Sequence, residues 1–395
     1  MRIIHESFFS LINKHLKDYP SPKNLGYFWN FGSLLGVALT IQIVSGIFLA
    51  MYYTPHINLA FLSVEYIVRD VQGGWFLRYL HSNTASFYFF FLYLHIFKAL
   101  FYKSYNVQNL VLWCSGIIIF FLSAATAFLG YVLPWGQMSL WGATVITNLI
   151  TAIPVVGKIV VTWIWGGFSI SNATLNRFFI IHMVLPFAIL GLVLSHILIL
   201  HEKGSSSPLG TFLVTDKIAF FPYYVYKDLF GLFCFFVILN LFLCFSPNFL
   251  VGHPDNYIAA NSLVTPLHIV PEWYFLPYYA ILRSIPNKLG GVLAMGGAMA
   301  IFFFKGFIDY SLPQSLYFRP LLDIIFGFFI LVFICLKILG GLPIEDPFET
   351  SSQILAYFYF FYIIFLSFLI AEQEVRFYRL YEFISRGLII KKNIQ

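Results

Sequence analysis

Residues 177–201 read RFFIIHMVLPFAILGLVLSHILILH, and their reading decides the fold. The stretch is long and apolar enough to cross a bilayer as one helix. Yet it carries His182 and His196 in its interior. An ionisable side chain in hydrocarbon is costly and marks a functional position. Fourteen helical residues advance about 21 Å and turn about 1400°, which leaves both rings within about 40° of one face. The two histidines therefore look the same way from two depths.

An earlier stretch, 74–101, repeats the device. It reads GWFLRYLHSNTASFYFFFLYLHIFKALF, with His81 and His95 again fourteen residues apart. Side by side, the two helices oppose one histidine to another at two levels. One buried histidine ordinarily just bonds a backbone carbonyl. Four at matched spacing meet the requirement of two haems b, each with its iron held by two imidazoles. His81, His95, His182 and His196 are thus the expected metal ligands, with His81 facing His182 and His95 facing His196.

Glycines keep the same interval. Gly32 and Gly46 lie in the apolar run before the first histidine pair, and Gly116 and Gly130 in the run after it, each pair fourteen apart. Only glycine lets backbone approach a porphyrin edge closely, although small residues also serve ordinary helix packing in membranes. Arg78 precedes His81 by three residues and Lys98 follows His95 by three. Neighbours at i, i+3 share a helix face, so each cation can meet a haem propionate, with interfacial snorkelling the competing account.

Composition agrees with membrane residence. Of the 395 residues 60% are hydrophobic and 10% charged, far from soluble-domain usage. The net charge of +6 is scattered beside apolar runs, which argues against a nucleic-acid partner. Cys114, Cys234, Cys244 and Cys335 form no C-x-x-C or C-x-x-C-H motif, so a disulfide, a zinc site or a covalently attached haem is not expected. The N-terminus has no signal-peptide pattern, and the expectation is a product that either inserts from its own N-terminus or is made in the compartment where it works.

The expected architecture is an all-α membrane protein with eight transmembrane helices, the first four forming a bundle around two stacked haems b. The spans fall at about 31–53, 75–101, 110–133, 177–201, 229–245, 289–308, 321–339 and 354–370. Four units follow: an N-terminal lead (1–30), the haem-binding bundle (31–210), the remaining helices with a six-proline loop (211–371, loop 246–288) and a basic tail (372–395). Segments 54–74 and 202–228 read as loops, and 137–176 as short interfacial helices. Lys and Arg concentrate on the side holding both termini, which the positive-inside rule assigns to the cytoplasm or matrix.

Two further groups of residues bear chemistry. Glu272 stands in Pro271-Glu272-Trp273-Tyr274, where an aromatic, proline-bounded setting raises a carboxyl pKa and equips it to take a proton. A solvated loop glutamate is the plain alternative. On the opposite side His201, Ser205, Lys227 and Asp228 flank helix ends, where histidine and aspartate can deliver protons to a substrate being reduced. An ordinary polar loop reads as well there.

These residues resemble cytochrome b of the respiratory quinol–cytochrome c reductase (complex III). The resemblance rests on FGSLLG at 31–36, GYVLPWGQMSLWGATVITNL at 130–149, WIWGGFS at 163–169, the four histidines, PEWY at 271–274 and AILRSIPNKLGGVLAM at 280–295. It covers about 26–295, is looser through the last three helices and is absent in the tail. It implies quinol oxidation on the positive side by Tyr131, Met138, Gly142, Glu272 and Tyr279. It implies quinone reduction on the matrix side near Trp29, Asn30, His201, Ser205, Lys227 and Asp228, with ubiquinone/ubiquinol as substrate. It also implies a Rieske-type iron–sulfur subunit, a cytochrome c-type haem subunit, further complex III subunits, a homodimeric complex and a mitochondrial inner-membrane location, with a bacterial plasma membrane as the alternative.

Three positions depart from the pattern: Thr84 where relatives usually carry glycine, Phe97 for a small residue and Lys98 for arginine. The fourteen-residue interval between His182 and His196, and the uninterrupted chain, separate it from the chloroplast relative. A haem-b transmembrane reductase with a flavin domain would need glycine-rich phosphate loops, and a transporter would need inverted repeats and midplane charges. Neither pattern is present in the sequence.

Overall fold

A computed structural model describes residues 13–105, 109–209, 216–308 and 320–366, together with positions 10, 369, 372, 373, 376, 377, 379–381 and 383. Without water to satisfy backbone polar groups, an apolar run must close its own hydrogen bonds, and helix is the way a single run does so. The chain obeys: α1 (Phe31–Ala50), α2 (Ala60–Arg69), α3 (Gly74–Phe101), α4 (Leu110–Val132), α5 (Gln137–Asn148), α6 (Gly157–Trp165) and α7 (Asn172–Lys203) make the first part. Then come α8 (Tyr223–Phe245), α9 (Leu276–Arg283), α10 (Lys288–Ile308), α11 (Pro320–Gly340) and α12 (Phe348–Phe361), the last continued by a π turn, Tyr362–Leu366.

Among the described residues seven helices are long and apolar enough to cross a membrane: α1 with its leading 3-10 turn, α3, α4, α7, α8, α10 and α11. The expected eighth span, 354–370, corresponds to α12 and its π turn, and its far end lies outside the described residues. The tail also falls largely outside them. Two expectations are corrected. Segment 54–74 contains α2, whose Glu65 and Arg69 pair at 2.7 Å one turn apart. Helix α8 begins at Tyr223, directly after Pro222, and not near 229. Proline suits the start of a helix, so Lys227 and Asp228 are fixed on its first turns.

The elements stop for local reasons. At the end of α4, Trp135 adopts φ 54°, and its carbonyl accepts from the Ala260 amide at 3.0 Å. That bond seats the loop after α8 on the α4–α5 turn. Helix α7 opens with Ser171 and Thr174 capping each other's backbone amides. It closes at Gly204, where φ is +87° and any side chain would be strained.

Helix α1 packs along α3, and α4 along α7. The second half joins through aromatic contacts: Phe89 stacks on Tyr274 at 4.1 Å, and Tyr93 donates its hydroxyl to the Tyr274 carbonyl. Trp113 Nε1 donates to Phe302 O at 2.7 Å, tying α4 to α10. The lead is held down as well. Strands β1 (Pro20–Pro22) and β2 (Lys217–Ala219) pair antiparallel, and Lys23 meets Asp216 at 2.7 Å beside them.

Candidate functional site

The four histidines lie on two helices, His81 and His95 on α3 and His182 and His196 on α7. The rings of His81 (α3) and His182 (α7) face each other with centroids 6.4 Å apart and planes at 76°. With metal–imidazole bonds of about 2 Å on each side, two rings sharing one iron would have centroids about 6 Å apart, so this spacing fits. One level lower, Lys98 is near enough to act electrostatically on both His95 and His196.

A ligating imidazole is usually oriented by a bond to its other nitrogen. Nδ1 of His81 bonds Ser45 Oγ at 2.9 Å, Nδ1 of His196 bonds Ser115 Oγ at 2.7 Å and Nδ1 of His182 bonds Thr126 O at 2.8 Å. Nε2 of all three is left to face the gap. His95 differs, for its buried Nδ1 has no hydrogen-bond partner among the described residues. Ser45 and Ser115 escaped the sequence reading. The available signal was that each immediately precedes a spaced glycine, giving Ser-Gly at 45–46 and 115–116.

Each spaced glycine faces one histidine. A Cβ added at Gly130 would lie 2.5 Å from Cε1 of His182, at Gly46 3.2 Å from His81, at Gly116 3.3 Å from His196 and at Gly32 3.6 Å from His95. The cradle holds the imidazoles where side chains would displace them. Opposed imidazoles at the upper level and a glycine facing each of the four rings together fit haem.

A cavity of about 260 Å³ continues from the upper level toward the loop 246–275. Gly46, Arg78, His81, Gly130, Tyr131, His182 and Glu272 line it, with Asn256 and Tyr274. Burial raises the Glu272 carboxyl to about 7, partly opposed by the Arg78 guanidinium. Arg78 itself reaches Ser82 Oγ at 3.3 Å and lies 5.2 Å over the Tyr79 ring. Gly142 and Tyr279 do not line this cavity. A Cβ at Gly142 would meet nothing within 4 Å. Tyr279 donates to Ile269 O at 3.1 Å and lies beneath the Arg283 guanidinium at 4.7 Å. Met138 is fully buried.

On the face carrying the lead, the predicted residues form two clusters. Asn30 Nδ2 donates to Lys227 O at 2.7 Å, and Lys227 Nζ donates to Leu25 O at 2.6 Å. Asp228 is within hydrogen-bond reach of Ser33, and Lys98 Nζ sits 5.0 Å over the Trp29 ring. Lys98 is therefore engaged with α1's leading turn beside the lower level. The second cluster surrounds His201: Tyr19 packs on its ring at 4.3 Å and also bonds Ser205. His15, absent from the sequence reading, joins it with Nδ1 3.2 Å from His201 Nδ1. Lead residues 19–25 link the clusters, since Tyr224 donates to Pro22 O and Lys227 to Leu25 O.

Histidines at two levels in a bundle of membrane-crossing helices, with a buried carboxyl beside one level, define a class of helical membrane protein able to hold haem. Comparison names the family. Residues 16–204 match "Cytochrome b/b6/petB" and residues 259–360 match "Cytochrome b(C-terminal)/b6/petD". Cytochrome b of Phytophthora megasperma is 55% identical over 354 residues, covering 90% of this chain and 92% of its own. That of Chondrus crispus is 53% identical over 366 residues, covering 93% and 96%. A chain of a solved hyperthermophilic respiratory complex III superposes with a TM-score of 0.88 at 31% identity, covering 94% of this chain and 98% of that one. The chain belongs to the cytochrome b family.

Proposed function

We propose that this chain is the electron-carrying subunit of a proton-translocating quinol–cytochrome c reductase of the complex III type, in a mitochondrial inner membrane. The observation that carries the reading is the set of four histidines, each opposed by its own glycine. His81 and His182 would hold one haem b, and His95 and His196 the other. When bound, these groups supply a one-electron relay across the bilayer. Ser45, Ser115 and the Thr126 carbonyl fix three of the imidazoles and so keep the ligand geometry.

On the loop face, Glu272 is neutral below about pH 7 and charged above it, so near neutrality it can accept a proton from a bound quinol hydroxyl. Tyr131 shares its cavity; Tyr279 on α9 and Gly142 on α5, outside that cavity, are assigned to the quinol site by the family resemblance alone. On the lead face, His201 and Asp228 would give protons to ubiquinone as it is reduced, with Trp29, Asn30, Ser205 and Lys227 holding it. Quinol gives two electrons and the chain carries one path, so an iron–sulfur subunit of Rieske type and a cytochrome c-type subunit take the other electron. The assembly is read as a homodimer with the termini on the matrix side.

A redox-titrated optical spectrum of the purified complex tests this. Two non-covalent haems b should titrate at separate potentials, with His182→Ala losing the upper and His95→Ala the lower. Both haems surviving in either variant would overturn the ligand assignment.

A further inference from the structure

His15 lies on a short π turn, Asn13–Lys17, at the start of the lead. Such turns are rare and often mark functional positions. This one lays the His15 ring parallel to that of His201, with centroids 5.3 Å apart and planes at 11°. Their Nδ1 atoms lie 3.2 Å apart. Two imidazole nitrogens at that distance can bond only if one carries a proton and the other a lone pair. The contact therefore holds one shared proton.

The platform beneath this contact is built. Strand β1 begins three residues after the π turn, its pairing with β2 fixes the lead, and the Phe221 amide bonds Lys17 O at 3.0 Å. Tyr19, itself buried, packs on the His201 ring at 4.3 Å. His15 and His201 are both partly exposed, so water reaches the pair. The charged groups around it, Lys14, Lys17 and Asp18 on the lead, Glu202 and Lys203 on α7 and Lys217 on β2, are all exposed. Of these, Lys217 shares the space before Gly204 with Tyr19, Lys217 Nζ and the Tyr19 hydroxyl each lying 3.8 Å from a Cβ added there.

We propose that His15 is the outer member of a two-histidine proton relay that supplies His201 from water, which rests on reading this face as the quinone-reduction site. The His201 Nε2 proton passes to an oxygen of the reduced quinone while the His15 Nδ1 proton crosses to His201 Nδ1. Nε2 of His15 takes a proton from water in the same event. One O–H bond forms on the quinone and one O–H bond of water breaks, leaving hydroxide in the solvent; each ring carries one proton before and after, now on the opposite nitrogen, and exchange with water resets the pair. The electrons on the quinone are those the reductase reaction provides. His15 acts through His201 and is a positioning and supply residue.

The test uses the whole complex with His15→Phe, which keeps a stacked ring and removes both nitrogens. A short-chain ubiquinone analogue is the probe, and its reduction is followed from pH 6 to 9. The relay requires kcat to fall about tenfold, less than the about 100-fold expected for losing a direct donor. KM should be unchanged, the loss should deepen as pH rises, and added imidazole should restore the rate. A wild-type rate and pH profile in His15→Phe overturns the proposal. So does a loss that is even across pH and untouched by imidazole, since that is packing. His201→Phe is measured in parallel: if it reduces quinone at the wild-type rate, the reading of the site itself falls. If His201→Phe is slow and His15→Phe is not, only the relay falls. Should His15→Phe lose the haem absorbance, His15→Gln is judged by the same criteria, and loss of absorbance there too makes His15 structural and overturns the relay.

Discussion

At the residue scale, Glu272 is the group whose environment does most to set its chemistry. Its carboxyl is held at about 7 by burial, against an ordinary value of 4.5. A raised acid stays protonated in the fold while the unfolded chain ionises. Stability from this group is therefore full below about pH 4.5 and is lost as pH climbs to about 7, on the order of 3 kcal/mol in all. Proton acceptance runs the opposite way and grows as the carboxylate forms. Quinol oxidation by the native complex should rise through about pH 7, while Glu272→Gln should be slower by about 100-fold and lack that limb. An identical pH profile in the variant would remove Glu272 from the chemistry. Its surroundings were partly legible, because Pro271, Trp273 and Tyr274 announce a dry setting. The Arg78 guanidinium that opposes the shift was not, for it stands almost two hundred residues earlier in the chain.

At the scale of elements, the helices were legible because their apolar runs have one way to satisfy their backbone in lipid. Their faces were legible because fourteen residues nearly close four helical turns. The pairings α1 with α3 and α4 with α7 were not legible, because the glycine interval matches both histidine-bearing helices equally and does not say which run faces which. What could not be read were contacts between distant polar stretches: the β1–β2 pairing, the early start of α8 and the seat of His15 on His201. No periodicity connects those segments, and only the folded backbone brings them together. The glycine faces give an ordered prediction. Substitution by alanine should cost haem most at Gly130, less at Gly46 and Gly116 and least at Gly32, following predicted approaches of 2.5, 3.2, 3.3 and 3.6 Å. Gly142→Ala, with open space before it, should keep both haems. Haem content per chain, read from the pyridine haemochrome, checks the order, and equal loss at Gly130 and Gly142 would refute it.

At the scale of the whole molecule, the polar investment lies between helices and the apolar surface lies outside. Only 6% of the spanning window of α7 is buried within the protein, against 50% for α3. The two histidine-bearing helices thus differ sharply: one is enclosed by its neighbours, and the other leans chiefly on α4, with lesser contacts to α1 and α6. Haem removal should accordingly loosen α7 first. Extraction of the haems from detergent-solubilised complex should lower the unfolding midpoint by several degrees, as expected for groups worth roughly 4 kcal/mol at a thousandfold excess over Kd. Helical circular dichroism should persist below that midpoint. An unchanged midpoint would mean that the helices alone define the bundle.

The glycine–histidine matching also carries a consequence for how the molecule is made. Each glycine belongs to the same half of the bundle as the histidine it shelters, α1 with α3 and α4 with α7. Each opposed histidine pair, by contrast, joins one half to the other. A nascent chain that has emerged only through α3 owns a complete half-socket without its opposing histidine, because His182 lies 81 residues beyond Phe101 (182 − 101). On the ligand assignment proposed above, loading would wait for α7, whose arrival would convert two separate hairpins into one container. An interruption of synthesis before residue 182 would leave a fragment with a single histidine at each level and no site that closes on an iron group.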